Sequence, residues 1–323
     1  MRLLGVELTR FRSRRAVVLL LLAAIVVTVV LAGTALWDTR PVSAAEQARA
    51  QAQAQLASAD PQLKEDLADC RENPTDFFGP GTTAVQCDRF MVPRVEDYLS
   101  RAELDLSRVV QARGVALVVI LTALLIIVGA TFAGADWGSG SMSNQLLFEP
   151  RRLRVWVTKA VAVVLACTAA ATVVLAAFWA SMGVIASSRG IDVAPGRLED
   201  RGPGLGRAAC LVAGVTLGGF ALTMLLRHTV GTLGLLFGYA VVGEGLAAAL
   251  PVDKMSQWSM ASNVMAWLHD GQEIYDESIC GGSQGACTPY YTLHLTHAAG
   301  YLGVLLLLAV LVSVFFFRRR DVP

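Results

Sequence analysis

Charge is scarce in this chain, and lysine scarcer still. Only 16% of the 323 residues are charged, against about a quarter in a soluble domain. With 54% hydrophobic residues and a mean hydropathy of +0.54, most of the chain belongs in lipid. Of 27 basic residues, three are lysines (Lys64, Lys159, Lys254) and the rest arginines, a bias that fits a GC-rich bacterial genome. The lysines follow Leu63, Thr158 and Asp253. None completes the Gly-Lys-Ser/Thr turn that cradles phosphate, so a P-loop ATPase is excluded for this chain. There is no HExxH and no CxxC. His294 and His297 stand three apart without a neighbouring carboxylate, which favours an interfacial pair over a metal site. No repeat of 20–50 residues is evident, and no nucleic-acid signature rises above the arginines that flank apolar runs.

Six apolar runs are present, and they predict an all-α integral membrane protein, a six-helix transmembrane bundle. The first covers 16–37 without a charge and is longer than the apolar region of a signal peptide. Others follow at 114–135, 156–186, 208–226, 230–250 and 298–317. Lys159, at the start of the third, is expected to snorkel to the interface. Only Arg227, His228 and Thr229 separate the fourth and fifth, which forces a tight hairpin.

Ahead of the first span, Leu4, Leu8 and Phe11 recur at helical spacing with Arg10 and Arg14 on another face. An amphipathic N-terminal interfacial helix over 1–15 is expected, the alternative being a basic flank that only sets topology. Five arginines precede the first span and three close the last (318–323), so both termini are expected in the cytoplasm of a cell membrane. That places 38–113, 187–207 and 251–297 outside and the connector 136–155 inside.

The 38–113 insert reads as a small, mostly helical extracytoplasmic unit. Helix formers fill 43–58, Pro61 punctuates, and Val95, Tyr98, Leu99, Ala102, Leu106, Val109 and Val110 predict a second amphipathic helix running into the next span. In 251–297 the stretch MSQWSMASNVMAWL predicts a short interfacial helix. Cys70, Cys87, Cys280 and Cys287 all fall in external loops, where an oxidising compartment permits disulfides. Pairing within each loop is the simplest of three connectivities. Zinc is the rival, without supporting spacing. Cys167 and Cys210 lie in spans as packing residues.

Glu244 is the one acid in the apolar run GYAVVGEGLAAAL. Such charges usually face a bundle interior or cavity, so Glu244 is a translocation-path candidate. Equally, it could hydrogen-bond at the outer interface and shape packing. Gly214/Gly218 and Gly234/Gly238 form small-xxx-small pairs suited to helix contact.

The connector carries the most specific pattern. Asp136, Gly140 and Ser141, then Leu146, Leu147, Pro150, Arg151, Arg152 and Lys159, resemble the connector of the permease subunits of ABC-2 type transporters. That family shows an acidic residue, Gly-Thr or Gly-Ser, two leucines, Pro-x-Arg and a lysine there. The terminal FFFRRRDV resembles the family's ending, and the likeness spans nearly the whole chain apart from 38–113. Asp136 stands where glutamate is more usual. The resemblance implies a dimer of permease chains, identical or homologous, in membrane lipid, each resting on a separate ABC ATP-binding subunit that holds ATP and magnesium; this chain binds no cofactor. It places a coupling helix in the connector, with Asp136, Ser141, Asn144, Gln145, Leu147, Phe148, Glu149, Arg151, Arg152 and Arg154 at the ATPase-coupling interface and the N-terminal helix alongside. The implied role is a non-catalytic exporter subunit. Alternatives are a membrane-anchored extracytoplasmic binding or assembly protein, a secondary transporter, which should show more intramembrane acids, and a membrane enzyme, for which no catalytic cluster is identified.

Overall fold

The computed structural model describes residues 2–79, 83–99, 110–189, 202–249, 254–276 and 290–319. Within them the chain is mostly helical, and six helices are long and apolar enough to cross a membrane, which fits a multi-pass membrane protein. Helix α1 (Arg2–Ser13) leads into α2 (Arg15–Asp38), the first span. The insert holds α3 (Ala44–Ala59), α4 (Pro61–Glu72), α5 (Pro74–Phe78) and α6 (Ala84–Met91). A π turn (Val110–Gly114) opens α7 (Val115–Gly138), followed by short α8 (Ser141–Phe148) and long α9 (Arg152–Ser188). Then come α10 (Gly202–Leu226) and α11 (Thr229–Gly238), the latter continued through a π turn (Tyr239–Gly243) into α12 (Glu244–Ala249). After α13 (Met260–His269), strands β1 (Gln272–Tyr275) and β2 (Tyr290–Leu293) precede α14 (Leu295–Arg319).

Several boundaries differ from the sequence expectation. The third span is 37 residues, about 55 Å at 1.5 Å per residue, which is longer than a ~30 Å hydrocarbon core requires. The Gly/Pro-rich stretch at 202–206 is the first turns of α10, not loop. Proline is tolerated in a first turn because the amide it lacks would be unpaired there anyway. Residues 95–98 form a 3-10 turn rather than the start of a long helix; most of that expected helix lies outside the described residues. The β1–β2 ribbon is antiparallel, pairing Ile274 with Tyr291 and Tyr275 with Tyr290, so the chain is not wholly α-helical. Its alternating Ile274 and Leu293 are buried against Ala266 and Ala298, the period-2 pattern of a half-buried strand.

Spans α7 and α10 form the centre, with 44% of their apolar windows buried; the α11 span is the most peripheral at 6%. One core cluster lies toward the arginine-rich end, where Phe132, Trp156, Phe220 and Phe317 pack together with Phe11 of α1. A second, around Leu117, Leu121, Leu175, Phe178 and Met182, lies toward the insert. The close approach of α7 and α10 uses neither glycine pair expected from spacing. A Cβ on Gly129 would meet the Thr216 carbonyl oxygen at 2.4 Å, and one on Gly219 would meet that of Ile126 at 2.4 Å. Gly234 and Gly238 face open space, and Gly214 and Gly218 make ordinary contact with Leu306. We therefore expect Gly219→Ala to push α7 and α10 apart and cost about 1–3 kcal/mol, read as a lower melting temperature in detergent, while Gly234→Ala leaves it unchanged.

In the insert, Cys70 and Cys87 form a disulfide joining α4 to α6, beside an Arg71–Asp88 ion pair of 2.6 Å. Ser43 and Glu46 make a capping box that starts α3. Cys280 and Cys287 lie outside the described residues. Cys167 is buried as a packing residue should be, but Cys210 is exposed on the bundle's outer face. Arg113 pairs with Asp38 at 2.6 Å, and Arg189 donates to the Thr39 hydroxyl and the Leu36 carbonyl, tying the insert ends of the first three spans together.

Candidate functional site: an ion-paired connector

The chemistry concentrates at the opposite end, where α1, α7, α8 and α9 meet. On α1 the stripe Leu4, Glu7, Leu8, Phe11 follows the i, i+3, i+4, i+7 rule. It packs on protein, since Glu7 is 0% and Phe11 4% exposed. Glu7 is thus an acid set into an apolar stripe. Its carboxylate accepts from Lys159 Nζ at 3.0 Å and Gln145 Nε2 at 2.8 Å, with Arg10 at 3.4 Å on the rim.

Lys159 does not snorkel. It is wholly buried, and its Nζ donates also to Asp136 Oδ2 at 2.5 Å. Asp136, in the last turn of α7 and 1% exposed, accepts from the Ser141 hydroxyl at 2.8 Å and from Arg14. Arg14 also donates to the Phe132 carbonyl, and its guanidinium stacks 4.7 Å over the Phe132 ring. Two carboxylates (Glu7, Asp136) face two inner cations (Lys159, Arg14), so this inner set is formally neutral, with Arg10 outside it on the exposed rim. A buried charge is tolerated only when paired and hydrogen-bonded in this way.

Between α7 and α8 only Ser139 and Gly140 intervene, and Gly140 takes φ +67, the left-handed conformation that glycine adopts freely. This turn lays α8 across the bundle end. Met142 is buried and Leu146 packs against the core, with Gln145 reaching Glu7. Asn144 is exposed, and Leu147 and Phe148 project outward at 80% and 91% exposure.

The ten expected interface residues thus divide by role. Asp136, Ser141 and Gln145 belong to the buried network. Asn144, Leu147 and Phe148 form the outward face. Glu149 and Arg154 pair across the α8–α9 joint at 3.1 Å, bracketing Pro150. Arg152 donates to the Phe317 and Arg318 carbonyls at 3.4 and 3.5 Å, where a cation suits the end of α14. Arg151 is exposed. Sequence reasoning missed Glu7 and Arg14. An acid three residues after Leu4 and one before Leu8 was the available signal.

Glu244 hydrogen-bonds at one end of the bundle, as one of its two expected readings has it. It accepts from the Ser259 hydroxyl at 2.5 Å and the Met260 and Ala261 amides at 2.8 and 3.2 Å, so it anchors the N-terminus of α13, where a carboxylate complements the helix dipole. His297 contacts Asn263 at 3.3 Å and meets the Trp258 ring edge-on. A Gly-x-Ser-x-Gly spacing at 281–285 lies outside the described residues.

No family model matches the chain. No curated protein and no solved structure matches it either. The functional reading therefore rests on the residues and their geometry.

Proposed function

We propose that this chain is the membrane-spanning permease subunit of an ATP-driven exporter of the ABC-2 type, working as a dimer in a bacterial cell membrane and coupled through 136–155 to a separate ATP-binding subunit. The observation that carries this reading is α8: a short helix with two large apolar side chains exposed, hydrogen-bonded through Ser141 and Gln145 to a buried ion-pair network that joins α1, α7 and α9. Two apolar groups held out in that way suit a docking groove on a soluble partner, since exposed apolar surface marks interaction sites. The network would convert displacement of α8 into movement of α7 and α9 rather than local bending. Arginines at this end and at both chain ends support a cytoplasmic placement. With no phosphate-binding loop of its own, the chain would draw on ATP and magnesium in the partner.

The test is co-expression with an ATP-binding subunit from the same genome, purification through a tag on this chain, and assay of ATP hydrolysis. The expected result is co-purification of the ATPase and activity that changes when the permease is present. If no ATPase accompanies the native chain, the exporter reading fails, and the insert becomes the working part of a membrane-anchored binding protein.

A further inference from the structure

A second feature of the arginine-rich end is not used by the coupling role. Between the start of α2, the last turns of α7 and the first residue of α11 lies a cavity of about 390 Å³. Arg14, Arg15 and Val17 line it from the α1–α2 junction and α2, Thr131 and Ala135 from α7, and Thr229 from α11. All three helices are candidate spans, and each contributes residues at or near its end, so the cavity sits at the level where a bilayer's headgroups meet its acyl chains.

Its charge is one-sided. Arg14 is committed to Asp136 and the Phe132 carbonyl. Arg15 is exposed and, among the described residues, pairs with no carboxylate. No acid lines the cavity. Next to it, the outer face of α2 presents Val18, Leu19 and Leu22 at 40%, 65% and 51% exposure, an apolar track running down the span from the cationic mouth. The Thr131 hydroxyl bonds its own helix, and Gly134 lets Thr229 close against α7, since a Cβ there would meet the Thr229 hydroxyl oxygen at 1.7 Å.

We propose that this cavity is a binding site for an anionic phospholipid, its phosphate on Arg15 and its acyl chain along Val18, Leu19 and Leu22. Guanidinium matches phosphate geometry in two-pronged fashion, and the apolar track distinguishes a lipid from a free anion. The site goes beyond the permease reading. It requires membrane spans but no ATPase, so it stands or falls on the isolated chain.

The experiment equilibrates the purified full-length chain with vesicles of equal parts phosphatidylglycerol and phosphatidylcholine, re-extracts it in mild detergent and counts retained lipids by native mass spectrometry. The native chain is expected to keep phosphatidylglycerol preferentially. Arg15→Gln should lower that retention roughly fivefold, the worth of one arginine at an anionic surface. Ala135→Leu, which fills the cavity without altering charge, should lower it too. Both side chains are exposed, so both variants should melt as the native chain does. Equal retention in native and Arg15→Gln chains overturns the proposal. A loss with Arg15→Gln but not Ala135→Leu also overturns it, because charge at the surface alone then suffices. So does release of the lipid by excess inorganic phosphate, which would make the site one for a free anion.

Discussion

Lys159→Met is expected to damage this protein more than any other single substitution in its spans. The native cluster balances Glu7 and Asp136 against Lys159 and Arg14, all four drawn together from α1, its junction with α2, α7 and α9. Methionine matches the lysine stem in length and polarity, so packing is nearly kept. What is lost is the cation between two carboxylates that are 0% and 1% exposed. Breaking a buried pair by removing one partner costs about 3–5 kcal/mol, because the charge left behind is unsolvated. The expected readout is a melting temperature lower by on the order of 10 °C in detergent.

A second variant separates charge from shape. Glu7→Gln combined with Lys159→Met leaves Asp136 paired with Arg14, and the inner set is neutral again. The double variant should therefore melt higher than Lys159→Met alone, although it carries one more change. Non-additivity of this sign is the signature of a shared network. A Lys159→Met protein that melts within a degree or two of the native chain would mean the ion pairs contribute nothing, and the rigid link between α1 and α9 would go with them.

That network also shows where the sequence was legible and where it was not. The six spans could be read because a bilayer demands about twenty apolar residues in a row, a signal carried by each segment alone. The connector could be read because Gly140, Pro150 and the arginines around it mark a turn, a stop and a flank within a few residues. Lys159 could not be placed, since its two partners lie 152 and 23 residues away, and a lysine near a span end has a cheap alternative in snorkelling. Glu7 was partly visible: the stripe Leu4, Leu8, Phe11 was recognised, but a stripe turned toward lipid would exclude the acid, whereas one turned toward Lys159 requires it. The Gly129 and Gly219 contacts were hidden for a similar reason, because helix proximity depends on which faces meet rather than on spacing within one helix. The β1–β2 ribbon was not legible, because QEIY and YYTL are four residues each and neither alternates polar with apolar side chains.

Phe148→Asp should leave the fold intact and abolish docking. At 91% exposure the ring contributes little to the bundle, so the variant's melting temperature should stay at the native value. If α8 seats in a groove of an ATP-binding subunit, Leu147 and Phe148 are its apolar anchors, and a fully buried aromatic anchor is worth at least about 2 kcal/mol, roughly thirtyfold in affinity. Aspartate adds the cost of burying an unpaired charge, so co-purification of the ATPase should fall by more than that. Asn144→Ala, on the same outward face but small and polar, should weaken association by no more than a few-fold. The comparison distinguishes docking from a general effect of the connector, because Lys159→Met should lower both stability and association while Phe148→Asp lowers association alone. Undiminished co-purification with Phe148→Asp would remove α8 as the contact and shift attention to the exposed arginines beside it, Arg151 and Arg154.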